Sequence, residues 1–78
     1  MDIKMTDVML HIDEELDSDG QETLETLMRG QEGVIGLGYH SNRPHLMIVE
    51  YNPDCTTDQH LLDCVARQGL HAELVAFL

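Results

Sequence analysis

The stretch that most constrains this chain runs from Gly33 to Pro53. It holds one β-rich run from Val34 to His40, a turn at Ser41-Asn42-Arg43-Pro44, and a second β-rich run from His45 to Tyr51, closed by Asn52-Pro53. Two such runs joined by Asn and Pro predict a hairpin. Asn tolerates the backbone angles of a tight turn, and Pro presets φ while donating nothing to a ladder. A lone hairpin is marginal in water, so the flanking segments must supply further strands or cover one of its faces.

The flanks have the patterns for both tasks. Asp7 to Asp13 alternates, with Val8, Leu10 and Ile12 on one side and Met9 and His11 on the other, which predicts a first strand. Leu24, Leu27 and Met28 then recur at helical spacing behind a capping pattern of Ser18 and Gln21, with Gly30 or Gly33 as the stop. Beyond the hairpin, Thr56 or Thr57 caps a second helix. Its buried stripe is Leu61, Leu62 and Val65, and Gly69 follows Arg67 as its end. His71 to Phe77 is the last strand. This order predicts an α+β fold, a ferredoxin-like βαββαβ sandwich with a four-stranded antiparallel sheet and two helices on one face. The 78 residues make a single domain, 1–78, with residues 1–6 expected to be a flexible lead.

Charge narrows the partners. Fifteen acidic residues face four Lys and Arg, for a net charge of −11, and such a surface repels both phosphate backbones and anionic lipid. Nucleic acid and membrane are therefore not expected as partners. The N-terminal residues lack a basic start followed by a long apolar run, and no segment approaches the ~20 apolar residues of a membrane helix. A cytoplasmic setting is the expectation, and Cys55 and Cys64 are read as free thiols rather than a disulfide.

Gly33-Val34 after the first helix, Val49 to Asp54 at the end of the third strand, and Gly69 to Leu74 near the end of the chain resemble the heavy-metal-associated domain family of copper chaperones and metal-pumping ATPases. The similarity runs from about Asp7 to Val75. It implies the sandwich fold, and a metal loop of the form Met-x-Cys-x-x-Cys between the first strand and first helix, whose two thiolates take a soft ion such as Cu(I). In this sequence that loop falls on Glu15-Leu16-Asp17-Ser18-Asp19-Gly20, with Asp17 and Gly20 at the two cysteine positions. Carboxylates prefer hard cations to soft ones, so the loop is not suited to Cu(I).

Two other places offer metal donors. Glu15, Asp17, Asp19 and Gly20 follow the first half of a calcium loop, but the closing bidentate Glu would fall on Thr26. His60 and Cys64 lie four apart on the second helix, hence on one face, with Cys55 in the loop before it. These six residues, Glu15, Asp17, Asp19, Cys55, His60 and Cys64, are the sequence candidates for a transition-metal or divalent cation, set beside the main expectation of no cofactor. His40, His45 and His71 have no spacing that singles them out. Catalysis has little support, since nothing supplies a group to orient a Cys64–His60 pair or an oxyanion donor.

The sheet face away from the helices is the remaining candidate. Val8, Leu10, Ile12, Met47, Val49, Tyr51 and Leu74 are expected in the core, which leaves Met9, His11, Leu46, Ile48, Val75 and Phe77 on the open side. A contiguous apolar patch there suggests an interface, with a protein partner or with a second copy as a homodimer. The sequence thus points to a small non-enzymatic binding module that grips a protein through this face, with metal-ion binding or transfer as the alternative.

Overall fold

The computed structural model describes residues 4–40 and 43–75. Six elements follow in the expected order: β1 (Thr6–Ile12), α1 (Ser18–Arg29), β2 (Val34–His40), β3 (Arg43–Tyr51), α2 (Asp58–Ala66) and β4 (Ala72–Val75). They build one four-stranded antiparallel sheet in the order β2-β3-β1-β4. Each helix thus connects two strands that lie on either side of a third, the split βαβ arrangement the sequence predicts.

Period-two alternation sets the core. Val8, Leu10 and Ile12 of β1 and Met47, Val49 and Tyr51 of β3 are all buried, and Leu24 and Met28 of α1 join Leu61, Cys64 and Val65 of α2 in the same cluster. Because both helices bury their stripes against one set of alternate strand residues, both lie on the same side of the sheet. Leu74 departs from expectation. It pairs with Leu10 and so has core parity, but it is 38 % exposed because β4 is an edge strand.

Local chemistry moves two boundaries and decides a third between its two expected caps. The carboxylate of Asp17, not the Ser18 hydroxyl, caps α1, its Oδ1 accepting the Gly20 N–H at 2.7 Å. Thr57 caps α2 and accepts the His60 N–H at 3.1 Å, while Thr56 is buried. β3 opens at Arg43, so Arg43 and Pro44 belong to the strand rather than to the turn, close to where the β2–β3 ladder slips between Tyr39 and His40. Gly30 ends α1, and Gly33 follows with a φ of +93°, which only glycine adopts without strain.

Candidate metal centre

The loop after β1 is committed to structure. Glu14 accepts the His71 N–H at 2.7 Å through Oε1 and meets the ring Nδ1 at 2.6 Å through Oε2, joining the loop to the segment that leads into β4. These hydrogen bonds lower the Glu14 pKa, the ring contact first and the main-chain N–H second, and raise that of His71. Asp17 holds the helix start, and the Asp19 carbonyl accepts the Thr23 hydroxyl at 2.9 Å. Glu15, Asp17 and Asp19 are exposed and do not draw together into a three-donor group. Where the resemblance implies a pair of thiolates, the chain has a carboxylate-capped helix start, and these donors do not fit a soft ion.

Of the second set, Cys64 is buried and Cys55 exposed. The Cys64 Sγ donates to Gln31 Oε1 at 3.4 Å and lies 3.7 Å from His60 Nε2. The helix therefore brings two of the three candidates into contact, and Cys55 completes no three-donor group with them. As the i, i+4 spacing predicts, His60 and Cys64 share a face, but that face is the edge of the core.

The open face is organised in rows. Gly38 pairs with Ile48, Ile48 with Met9, and Met9 with Val75, so one residue from each strand stands in a line across the sheet. Met9, Ile48 and Val75 are half-buried. One row over, Leu46 pairs with His11 and His11 with Glu73; on the other side, Gly36 pairs with Glu50 and Glu50 with Asp7. The face thus has an apolar middle between polar margins. The expected residues Met9, His11, Leu46, Ile48 and Val75 do share it, whereas Phe77 lies outside the described residues.

The polar margin at the His11 end holds a group that sequence reasoning missed. One donor atom each of His11, Asp13 and Glu73 lies within 4.8 Å of the others, the one such trio of His, Cys, Asp or Glu among the described residues. His11 Nδ1 is 3.2 Å from Asp13 Oδ1, and the His45 ring stacks on that of His11 with centroids 5.9 Å apart and planes 18° from parallel. A shallow groove of about 650 Å³ runs here between His11, His45, Arg43 and Glu73. The pleat gave half a signal, since His11 and Asp13 are two apart and share a side. Glu73 and His45 join them only through the pairing of β4 and β3 with β1.

The fold now defines a class: this chain has the architecture of heavy-metal-associated domains. Oxidized MerP from Ralstonia metallidurans CH34 matches with a TM-score of 0.78 at 18 % identity, covering 90 % of this chain and 96 % of that one. The yeast copper transporter domain Ccc2a matches with 0.78 at 18 %, covering 90 % and 94 %. A copper-binding domain of HMA7, a P-type ATPase, matches with 0.80 at 13 %, covering 90 % and 93 %. No family model matches the sequence, and no curated protein matches it closely. No helix among the described residues is long and apolar enough to cross a membrane.

Proposed function

We propose that this chain is a non-enzymatic metal-ion-binding or metal-transfer module whose donors are nitrogen and oxygen rather than paired thiolates. The carrying observation is a fold shared with domains described as copper-binding or copper-transporting, combined with a trio of imidazole and carboxylate donors outside the loop after β1. Imidazole and carboxylate suit borderline and hard divalent ions. Titration of the reduced protein with Cu(I), Zn²⁺ and Ca²⁺ tests the reading. Stoichiometric binding of a divalent ion at about micromolar Kd, near −8 kcal/mol, supports it, and no stoichiometric binding of any of the three removes it.

A second reading is favoured by the row that starts at Gly38, in which the apolar side chains of Ile48, Met9 and Val75 stand on the sheet face that neither helix covers. Such a patch suits docking of a protein, a second copy included. Solution mass of the wild type against Met9→Glu and Ile48→Glu separates the cases, and a monomer throughout counts against self-association.

A further inference from the structure

We propose that His11, Asp13 and Glu73 bind one borderline divalent transition-metal ion at the margin of the open sheet face, with Zn²⁺ as the probe of choice. This rests on the metal-binding reading above and gives it a place and a ligand set. The site is assembled by pairing. His11 is opposite Glu73 in the β1–β4 ladder, and the Asp13 N–H donates to the His71 carbonyl at 2.8 Å, which holds Asp13, just past the end of β1, to the residue that precedes β4. Two donors therefore sit on paired strands and the third is tied by its main chain one residue past β1, which reduces the ordering a metal must impose.

The donor chemistry selects the ion. One imidazole nitrogen and two carboxylates carry two negative charges, which a divalent cation neutralises. The Asp13 carboxylate meets His11 and the Glu73 carboxylate has no ion-pair partner among the described residues, so two like charges lie close together with Arg43 as the one Lys or Arg lining the same groove. Cu(I) prefers sulfur, which this group lacks. Ca²⁺ takes six to eight oxygens, more than the group offers, and Mg²⁺ demands near-ideal octahedral oxygen geometry. Three mixed N and O donors with open positions facing solvent match Zn²⁺.

His45 strengthens the case. Its Nδ1 is 2.7 Å from the Ile12 carbonyl oxygen, and a carbonyl only accepts, so Nδ1 carries a proton and Nε2 is the nitrogen left to bind an ion. Metal-ligating imidazoles are commonly fixed by such a bond to a backbone carbonyl. The ring stacked on His11 thus keeps Nε2, not Nδ1, free to meet an ion.

Calorimetric titration of Zn²⁺ into the reduced full chain, with amide NMR spectra to verify folding, tests the assignment. The expected result is one ion per chain, weakened at least about tenfold by His11→Ala and by Glu73→Gln and changed less than about twofold by the double variant His60→Ala/Cys64→Ser. Binding that survives in both His11→Ala and Glu73→Gln but fails in the double variant overturns this site while leaving the metal-binding reading intact. Absence of stoichiometric binding in the wild type overturns both. Should a variant unfold, Mn²⁺ line broadening on the wild type decides instead: broadening centred on His11, Asp13 and Glu73 supports the site, and broadening centred on Asp17 or Cys64 overturns it.

Discussion

Glu14 holds His71 twice, through the main-chain N–H at 2.7 Å and the ring Nδ1 at 2.6 Å, and so joins the segment after β1 to the start of β4. These are the two chain segments that carry Asp13 and Glu73. Because the ion pair strengthens the hydrogen bond, protonated His71 and ionised Glu14 favour each other. The His71 pKa is raised above the ordinary 6.5 and the Glu14 pKa lowered below 4.5.

The sign of the pH dependence follows. The His71 contribution is complete below about pH 6.5 and is lost as pH rises through its raised folded value, while that of Glu14 is complete above about pH 4.5 and is lost as pH falls through its lowered one. The pair therefore stabilises most between those two values. In metal-free buffer, NMR titration is expected to place the His71 pKa above 6.5 and to return it toward 6.5 in Glu14→Gln. A wild-type His71 titrating at or below 6.5 would show that the pair does not form in solution.

Gly33 is irreplaceable for two separate reasons. Its φ of +93° is strained for any side chain, and a Cβ there would fall 2.8 Å from the Cys55 Cβ and 3.0 Å from the Thr56 Cγ2. Gly33→Ala is expected to cost about 2–4 kcal/mol, combining backbone strain with overpacking. Gly38 has no atom within 4 Å of such a Cβ, so Gly38→Ala is expected to stay within about 1 kcal/mol of the wild type. Urea denaturation of the two variants measures the contrast, and equal losses would refute it.

Asp17 works as a cap through its carboxylate oxygen, which accepts the Gly20 N–H. Asp17→Ala is expected to lose about 1 kcal/mol of stability, and Asp17→Asn less, because the amide oxygen still accepts and only the favourable charge at the helix N-terminus goes. The same denaturation experiment reads both. An unchanged Asp17→Ala would mean that the first turn of α1 is not held by this bond.

Much of this was legible in the residues, and the misses have physical causes. Val8, Leu10, Ile12, Met47, Val49 and Tyr51 are buried as their alternation requires, because a strand with one covered face shows its register in its own sequence. Leu74 obeys the same parity yet stays exposed, since nothing in a strand's pattern tells whether it lies at a sheet edge. Ser18 and Asp17 both have cap chemistry, and the choice between them turned on one backbone step. The His11, Asp13 and Glu73 group depends on which residue of β4 faces which residue of β1. Topology makes those strands neighbours, but the offset is fixed by contacts that no local pattern records.

The β1–α1 turn offers a direct test of how far the architectural likeness extends. Asp17 and Gly20 stand three apart across the start of α1, where a helix N-terminus lowers thiol pKa and two thiolates would share one side. A Cβ on Gly20 would meet Asp17 Oδ1 at 3.1 Å and Leu16 carbons at 3.5 Å, and the closer contact disappears if Asp17 is replaced at the same time. The double variant Asp17→Cys/Gly20→Cys is therefore expected to fold, to lose about 1 kcal/mol with the cap, and to bind one Cu(I) at least about a hundredfold more tightly than the unmodified chain. Cys55 and Cys64 are present in both proteins, so competition titration with a Cu(I) chelator isolates the new pair. Equal Cu(I) affinity in a folded double variant would show that the likeness ends at the scaffold and that this turn does not hold two donors at metal-binding distance.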